Sequence, residues 1–395
     1  MFTVHSASTP REELALKRCM ASAFGPGSLA GASGRVGFIS KYFGSDFLVI
    51  ADTEDCVAAS GLCAAPCPVY IDEVPVPQAS IGLVATRAAF RKQGMAEGCL
   101  RETHRRFRDR GIPLSCLWPF AYFFYRKYGW EIGGSALECS ASPEAFADCE
   151  AAPLFFESGA DTENIIALHA GSFCRYNGSN VRSRFWWREY PDMFARGGLK
   201  GAYIRDSKGC PSAGCIFCER ERDGVRYLQI PEIYYTRHSD MRLLMGSLTK
   251  EYPDTGFDFR LPPDTDFFRT MPDPRQVRRA LVSGHMLRVH DPAGALVWLK
   301  PRNSGTLSFS IEDPFEEEPH RFTVTWDGPC PRIAGYTGVN PVETSIGLFS
   351  QLYCGAVKLG PDNRRDYVSC SEEAAGLLRD LMPVNGAYRS SMDPG

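Results

Sequence analysis

The sequence predicts three α+β domains in tandem, of which the first two have a mixed β-sheet flanked by helices. Its 395 residues exceed what one hydrophobic core usually organises, so two or three domains are expected. Stretches with helical spacing alternate with short apolar runs that are bounded by turn residues. A turn-rich stretch that shifts towards alanine and acidic residues, 140–153, marks the first boundary. The predicted domains span residues 1–140, 141–280 and 281–395.

The elements of the first domain follow from local patterns. Residues 10–24 have helical spacing, and two strands turn at "DTED". The further elements are a strand "SIGLVAT", a helix "GMAEGCLRETHRRFRDRG" with Gly111 as its C-cap, a strand "PLSCLWPF" and a short helix in "AYFFYRKYGWEIG". This order predicts a mixed sheet with helices on its faces.

The next two regions contain a similar mixture of elements. The second has a helix from "ADTENIIALHAGSFCRY", three strands ("KGAYIRD", "AGCIFCERE", "VRYLQIPEIYY") and a helix "SDMRLLMGSLTKEY". The third has a strand "HMLRVHD", a helix "PAGALVWLK", a hairpin "TLSFSIEDPFEEEPHRFTVTW" and a helical stretch "PVETSIGLFSQLYCGAV". Both regions are therefore predicted to be α+β.

Composition and charge exclude several classes of function. Hydrophobic residues make up 44% and charged residues 23%, as in ordinary soluble globular proteins. A net charge of −3 argues against nucleic acid and against an anionic membrane surface as partners. No apolar run reaches membrane-spanning length, and "MFTVHSASTPREEL" lacks the pattern of a signal peptide. A cytoplasmic protein is therefore expected.

The fifteen cysteines raise the question of metal binding. The densest group, "CPSAGCIFC", contains Cys210, Cys215 and Cys218. A zinc site needs four ligands, usually as two closely spaced pairs, and no second pair follows. The favoured interpretation is a hairpin strand with cysteine as a small core residue, and half of a zinc site is the alternative. No metal is predicted, and the cysteines are expected to be reduced.

The stretch "FRKQGMAEG", residues 90–98, is a candidate anion site. It joins a predicted strand to a predicted helix, whose first N–H groups lack intrahelical partners and point outward. Arg91 and Lys92 can neutralise an anion, and Gly94 lets the backbone come close. The pattern R-x-x-G-x-A, which includes Ala96, is neither a Walker loop nor a dinucleotide fingerprint. The six residues alone fit a capped surface helix equally well.

The flanking strands narrow the kind of ligand. The strand "IGLVAT" has few polar side chains, so it offers its backbone N–H and C=O groups. The strand after the helix leads to a tyrosine cluster of Tyr122, Tyr125 and Tyr128. A ligand with its pyrophosphate at the loop and a thin arm along the first strand reaches those tyrosines. Coenzyme A has this shape.

Two motifs carry a resemblance to a known family. "GLVATRAAFRKQGMAEGCL" resembles the coenzyme A motif of the GCN5-related N-acetyltransferases (GNAT). "CLWPFAYFFYRKYGWE" and "YNGSNVRSRFWWREY" at 176–190 resemble the enhanced-intracellular-survival (Eis) family of these enzymes. The resemblance covers nearly the whole chain. It implies a catalytic GNAT domain, a degenerate second GNAT domain and a sterol-carrier-protein-like domain, assembled as an oligomer, commonly a hexamer.

The resemblance also implies residues for acetyl-CoA, the expected cosubstrate, with no metal. Tyr125 corresponds to the general acid that protonates the departing thiolate; a tyrosine that only packs in the core is the alternative. The Val84 N–H would hold the thioester oxygen. The residues implied to contact acetyl-CoA are Leu83, Val84, Ala85, Thr86, Arg91, Lys92, Gln93, Gly94, Met95, Ala96, Glu97, Phe120 and Ala121.

The catalytic base is expected at the end of the chain. In the family a terminal carboxylate enters the first domain's site, and here either the Gly395 carboxylate or the Asp393 side chain is predicted to replace it. The alternative is a frayed tail, in which case water or an already neutral amine would serve.

The expected acceptor is an amine of a small molecule, polycationic and aminoglycoside-like, or of a lysine. Its pocket is predicted in two loops, 25–44 and 67–80. Their aromatic and acidic residues suit a cation, although a packed, solvated loop fits them equally well: Phe38, Tyr42, Phe43, Asp46, Asp72 and Glu73.

Two other functions stay open. The first is an apolar-ligand or lipid-binding protein that acts through the third domain. The second is a GNAT enzyme that moves another acyl group. The second domain is not expected to bind coenzyme A, because "TRHSDMRLLMG" has bulky side chains where the loop of the first domain has glycines.

Overall fold

The computed structural model describes residues 1–25, 28–157, 163–189, 199–360 and 363–393. Contacts divide the chain into two compact units. Unit 1 contains Met1–Gly133 and His285–Ala387, and unit 2 contains Gly134–Gly284 and Tyr388–Asp393. The division into three domains stays a prediction, because the first and third regions share unit 1. Within the described ranges, no helix is both long and apolar enough to cross a membrane.

Unit 1 begins with the elements of the first predicted domain. These are β1 (Thr3–Ser6), α1 (Pro10–Phe24), α2 (Leu29–Phe43), β2 (Leu48–Thr53), β3 (Cys56–Pro66), β4 (Val69–Ile71), β5 (Val74–Val76), β6 (Gln78–Thr86), α3 (Met95–Asp109), β7 (Leu114–Leu117), α4 (Tyr122–Arg126) and β8 (Glu131–Ile132). The predicted helix at 10–24 is confirmed, and Thr9 begins it with a capping box that includes Glu12.

Unit 2 follows with its own strands and helices. They are β9 (Ser135–Ala141), β10 (Phe155–Glu157), α5 (Glu163–Phe173), α6 (Arg184–Glu189), β11 (Lys200–Arg205), β12 (Pro211–Arg222), β13 (Val225–Tyr235), α7 (His238–Glu251), β14 (Gly256–Leu261) and β15 (Val277–Ser283). The chain then returns to unit 1 at His285.

The remaining elements complete unit 1. They are β16 (Met286–Val289), α8 (Pro292–Leu296), β17 (Ser304–Glu312), β18 (His320–Asp327), β19 (Arg332–Ala334), β20 (Pro341–Ser345), α9 (Ile346–Tyr353), α10 (Arg364–Tyr367), β21 (Ser369–Cys370) and α11 (Glu372–Leu381). The predicted β17–β18 hairpin is confirmed by its antiparallel register. The stretch predicted to be helical from 341 begins instead with β20.

The main sheet of unit 1 has the strand order β1-β2-β3-β6-β7-β16-β8. Only β6 and β7 pair in parallel, as expected for two strands joined by the crossover helix α3. The late strand β16 lies between β7 and β8, antiparallel to both. An apolar cluster joins α3 to this sheet through Met95, Cys99, Leu100 and Phe107. These contacts fix the helix whose first turn carries the predicted anion site.

A second sheet of unit 1 has the order β19-β18-β17-β20-β21. Its apolar cluster includes Phe309, Trp326, Phe349 and Leu378. The β4–β5 hairpin packs into the same cluster through apolar side chains such as Val69. This shared core explains why contacts place the first and third regions in one unit.

The sheet of unit 2 has the order β10-β11-β12-β13-β14-β9-β15. Its strands β13 and β14 pair in parallel and are joined by α7, so they have the same order and direction as β6, α3 and β7 of unit 1. Cys215 and Cys218 are buried in β12, which confirms the strand interpretation of "AGCIFCERE". Burial raises the pKa of the Cys215 thiol to about 12, so this side chain is a neutral core group.

Candidate active site

The parallel pairing of β6 and β7 ends in the middle of β6. The register runs from Gln78 opposite Leu114 to Ile81 opposite Leu117. From there to Thr86, β6 pairs only with β3 among the described strands. A register shift and a positive φ of 54° at Leu83 mark a bulge at this point. The backbone of 82–86 therefore has one edge without a strand partner in the described structure.

This free edge contains the residues predicted to line the cofactor arm. Leu83, Val84 and Thr86 are half-buried, and Ala85 is buried. The Ala85 carbonyl accepts a hydrogen bond from the Ser60 hydroxyl at 2.9 Å. Because an unpaired strand edge presents N–H and C=O groups at regular spacing, it can bind the amides of a thin extended ligand.

The loop between β6 and α3 exposes the predicted cations. A 3-10 turn, Ala88–Phe90, leads to Arg91, Lys92, Gln93 and Gly94, all exposed. Lys92 has φ +63° and Gly94 has φ +80°, so the backbone twice enters the left-handed region. A Cβ at Gly94 would meet nothing within 4 Å, so the backbone angle, and not space, requires this glycine.

Helix α3 begins without a side-chain cap. Its N-cap residue, Gly94, offers no side-chain hydrogen bond to the first turn. By contrast, Thr9, Ser345 and Ser371 cap α1, α9 and α11 through their hydroxyls. The uncapped N–H groups and the helix dipole make the first turn of α3 a place for an anion.

The side chains around this turn have different roles. The Arg91 Nε donates to the Thr86 carbonyl at 3.3 Å, and Gln93 donates to the Ala89 carbonyl at 3.4 Å. In the described part of the chain, the Lys92 ammonium makes no ion pair or hydrogen bond and is free to bind an anion. Met95 is buried in the core, so only its backbone can contribute.

The second glycine of the stretch 90–98, Gly98, is needed for packing. A Cβ at Gly98 would lie 2.8 Å from the Phe2 ring, so this glycine lets α3 approach β1. Ala96 and Glu97 are half-buried. Glu97 accepts from Tyr128 at 3.3 Å and from Arg101 at 3.4 Å. Gly94 thus shapes the loop, and Gly98 serves packing.

Tyr125 lies on α4 and is only 2% exposed. Its ring contacts Phe120, Phe124 and Trp130, with centroids 5.3, 5.0 and 6.4 Å away. Burial raises the pKa of its phenol well above the ordinary value, so the group is protonated at neutral pH. Among the described residues its hydroxyl has no hydrogen-bond partner. Such a hydroxyl can donate a proton to a ligand.

The residues before α4 flank this tyrosine. Phe120 is 63% exposed although its ring contacts the Tyr125 ring, so one side of it is open to a ligand. Ala121 is half-buried and extended, and it is the N-cap residue of α4. Together they place an apolar surface beside the tyrosine.

The predicted acceptor loops differ from the structure in two ways. Residues 29–43 form helix α2, not a loop, and its buried residues include Ala32, Val36 and Ile39. Alanine, glycine and serine obscure this helical spacing in the sequence. Residues 69–76 form the β4–β5 hairpin, turning at Asp72 and Glu73 with positive φ.

The acidic residues of these loops are mostly engaged. Asp46 pairs with Arg110 and accepts from Ser6 at 3.3 Å. Asp72 accepts backbone N–H groups from Val384 and Asn385 at 3.1 and 3.0 Å. Glu73 is exposed. Phe38 is buried against the ring of Tyr42, with centroids 5.1 Å apart.

Of the two candidate bases at the end of the chain, the structure describes only Asp393. Gly395 lies outside the described residues. Asp393 is buried in unit 2, where its carboxylate accepts from the Arg182 Nε at 2.7 Å. Arg182 also binds Glu232: its Nη1 donates to Glu232 Oε2 at 3.0 Å. The structure thus gives Asp393 an ion-pair partner that the sequence reasoning did not identify.

The segment "YNGSNVR", residues 176–182, binds the end of the chain, residues 388–393, within unit 2. The Tyr388 N–H donates to the Asn177 carbonyl at 3.0 Å, and the Ser179 hydroxyl donates to the Tyr388 carbonyl at 2.7 Å. Arg389 donates to the Gly178 carbonyl at 3.0 Å. In the sequence, the only sign of this function is the run of polar residues that precedes Trp186 and Trp187.

Residues 12–133 match the model of the acetyltransferase (GNAT) domain. The chain carries a GNAT acetyltransferase domain. The uncapped α3 and the free edge of β6 both lie inside the matched range, as does Tyr125. The matched range thus contains Tyr125, the predicted acid, and every residue that is predicted to contact acetyl-CoA, and it supports an N-acetyltransferase as the class of enzyme.

Solved structures agree with this chain in fold. An Enterococcus faecalis V583 protein described as a probable N-acyltransferase of unknown function is 20% identical, with TM-score 0.85 and 99% of each chain covered. A GCN5-related N-acetyltransferase from Anabaena variabilis is 16% identical, with TM-score 0.84 and coverage of 98% and 99%. Eis1 from Mycobacterium abscessus is 14% identical, with TM-score 0.77 and the same coverage. Among curated proteins, a search finds no significant match.

The corresponding helix of unit 2 begins differently from that of the GNAT domain. The N-cap of α7 is Arg237, with φ −123°, and no glycine precedes the helix. Arg237 pairs with Asp240 of the first turn at 3.0 Å. Helix α7 therefore lacks the left-handed glycine that begins α3.

Proposed function

We propose that the GNAT domain transfers an acetyl group directly from acetyl-CoA to an amine. The observation that carries the proposal is the combination of an uncapped helix, a free strand edge and a buried tyrosine with an unused hydroxyl in one domain. Each of these suits a different part of acetyl-CoA: the pyrophosphate, the pantetheine arm and the sulfur.

The binding residues follow from this assignment. The N–H groups of Gly94 to Glu97 would bind the pyrophosphate, with Lys92 and Arg91 as countercharges. The backbone of Leu83 to Thr86 would bind the pantetheine amides along the free edge. Phe120 and Ala121 would cover the arm. No metal is needed for this chemistry.

The transfer step needs a neutral amine and a proton for sulfur. The amine nitrogen attacks the thioester carbonyl, the carbon–sulfur bond breaks, and the Val84 N–H stabilises the charge on the carbonyl oxygen. Tyr125 donates its proton to the departing thiolate. Burial keeps the phenol protonated, so the acid is present at neutral pH.

The base that removes the amine proton is proposed at the Gly395 carboxylate. The Arg182 ion pair makes Asp393 the weaker candidate, because a base must release its partner to accept a proton. Removal of residues 394–395, compared with Asp393→Asn, separates the two. If both variants keep full kcat, water or an already neutral amine serves as base.

One assay tests the proposed function. Release of free coenzyme A thiol and labelled product would be followed with a panel of aminoglycosides, polyamines and lysine peptides, the proposed acceptors. Turnover by the wild type and its loss in Gly94→Glu are the expected results. Failure with every amine, together with turnover of another acyl donor, would favour the alternative transferase. The proposed oligomer is tested separately, by sedimentation.

A cavity favours a second candidate, apolar-ligand binding by the third region. It has a volume of about 260 Å³ between α9 and α11 and is lined by Leu352, Val357, Leu359, Leu378 and Met382. Lys358, Arg379 and Arg302 also line it. A fatty acid would suit this mixture of apolar and cationic groups. Displacement of a fluorescent fatty acid, lost in Leu359→Glu at a half-buried lining position, would support it, and acetyl transfer should be unaffected.

A further inference from the structure

A chain of buried hydrogen bonds runs through unit 1 from Glu316 to Trp130. The Glu316 carboxylate lies 2.9 Å from His104 Nε2, and His104 Nδ1 lies 2.9 Å from His290 Nδ1. His290 Nε2 lies 2.7 Å from the Ser115 hydroxyl. The Trp130 indole N–H donates to the same hydroxyl oxygen at 3.0 Å. The loop after β17 is thereby connected to α3, to the residue after β16, to β7 and to the residue before β8.

The two ends of this chain fix its direction. An ionised carboxylate can only accept, and an indole N–H can only donate. His104 must therefore donate from Nε2 to Glu316, so its neutral ring has a bare Nδ1. His290 then donates from Nδ1 and accepts at Nε2 from Ser115, whose oxygen accepts from Trp130. The two histidines are opposite tautomers.

The charged surroundings agree with this assignment. Burial and the Arg288 charge lower the pKa of His104 to about 4 against the opposing effects of Glu316 and Asp313, and burial also lowers that of His290. The Arg288 guanidinium lies 3.4 Å from His104 Nδ1, as a donor beside a bare nitrogen. Glu316 also pairs with Arg108. Burial opposes ionisation of Glu316, but the hydrogen bond from His104 and the charge of Arg108 outweigh it, so the pKa of Glu316 is lowered.

The far end of the chain lies behind the candidate acid. Trp130 is fully buried, and its ring contacts Tyr125 at 6.4 Å and His290 at 5.7 Å between centroids. Its N–H is the only polar group of the side chain. The hydrogen bond to Ser115 therefore sets the position of the ring on which Tyr125 packs.

We propose that Glu316 is a positioning residue: it sets the tautomers of His104 and His290 and thereby holds Trp130 against Tyr125. The last link rests on the proposed function, in which Tyr125 is the acid. The first links do not, since they concern only the direction of the hydrogen bonds. Glu316 comes from the third region of the chain, so that region would contribute to the acetyl-transfer site.

Nitrogen-15 NMR of the histidine rings near pH 7 tests the direction. In the full chain, His104 should be protonated at Nε2 and His290 at Nδ1. Glu316→Gln should give a mixture of tautomers, because an amide can donate as well as accept. Glu316→Asp should largely restore the wild-type pattern, and the exposed neighbour change Glu317→Gln should leave it intact. Identical tautomers in the wild type, or an unchanged pattern in Glu316→Gln, would overturn the proposal.

Kinetics on the same variants test the coupling to Tyr125. Glu316→Gln should lower kcat roughly 3–10-fold with the KM for acetyl-CoA unchanged, as expected for a group that acts through its neighbours. Glu317→Gln should keep the wild-type rate. Altered tautomers with a full kcat would refute the positioning role. If the wild type acetylates no amine, the proposed function fails, and the NMR result still decides the direction of the chain.

Discussion

Arg182 and Asp393 form a buried ion pair that joins the motif at 176–182 to the last described residue of the chain. Both side chains are about 1% exposed, and Glu232 shares the same guanidinium. The six residues 388–393 are therefore part of the folded core of unit 2, not a frayed end. Their backbone hydrogen bonds to Asn177 and Ser179 support the same conclusion.

The first prediction concerns the stability of this anchor. Arg182→Met leaves two buried carboxylates without a cation, which should cost about 3–5 kcal/mol. Asp393→Asn leaves the Arg182–Glu232 pair intact and should cost only about 1–3 kcal/mol. Thermal unfolding measures both. Arg184→Met is the control, because its pair with Glu163 is exposed and should contribute less than about 1 kcal/mol. Equal melting temperatures for all three would contradict the anchor.

The second prediction concerns the first turn of α3. Gly94→Glu should weaken coenzyme A binding at least roughly 100-fold, because it puts a carboxylate at the anion site and strains a residue with φ +80°. Calorimetry measures the affinity. Gly111→Glu is a matched control, since Gly111 has φ +64°, has open space and lies at the other end of the same helix. Equal affinity of both variants would mean that the loop binds no phosphate.

The sequence predicts the strand, the turn and the helix of this candidate site because their signal is local. A strand, a glycine turn and an amphipathic helix occupy about thirty consecutive residues, as in a βαβ unit. The structure adds reasons for individual residues: Gly94 is needed for backbone angle, and Gly98 for the contact with Phe2. Such packing reasons depend on β1, which the sequence analysis did not identify.

What the sequence could not predict depends on contacts between distant residues. The position of β16 between β7 and β8 requires pairing across more than 150 residues, for which periodicity carries no information. The sequence predicts a loop where helix α2 lies, because glycine and serine interrupt the apolar spacing of the helix. The partner of Asp393 is Arg182, which sequence spacing alone does not show.

The third prediction concerns Tyr125. Tyr125→Phe should lower kcat roughly 10²–10⁴-fold, the usual contribution of a general acid. The melting temperature should stay unchanged, because the hydroxyl has no partner among the described residues. Tyr122→Phe, on the same short helix, is the control and should keep most of the rate. A full kcat in Tyr125→Phe would remove the tyrosine from the mechanism.

The pH profile gives an independent check on the same residue. Burial raises the pKa of Tyr125, so the phenol keeps its proton to a higher pH than an exposed tyrosine would. The profile of kcat should therefore show no loss from tyrosine ionisation up to about pH 10, the ordinary tyrosine pKa. A descending limb between pH 8 and pH 10 that disappears in Tyr125→Phe would contradict the raised pKa.

The fourth prediction concerns stability in acid. The pKa of His104 is lowered to about 4 in the folded protein, against an ordinary value near 6.5. The unfolded chain therefore binds more protons than the folded one between these values. The contribution of His104 to stability is complete above about pH 6.5 and is lost as the pH falls towards 4, by about 3 kcal/mol. His290 acts in the same direction, since its pKa is also lowered.

Melting temperatures between pH 7 and pH 4 test this sign. The wild type should lose stability through that window, and His104→Gln should show a flatter dependence from a lower starting value, because glutamine does not titrate. His238→Gln is a useful control, because that histidine lies on α7 in unit 2 and is not a member of the Glu316 chain. A wild-type protein that gains stability as the pH falls would mean that His104 is charged in the folded state. His104 would then donate from both nitrogens, so the tautomer assignment of the Glu316 chain would fail as well.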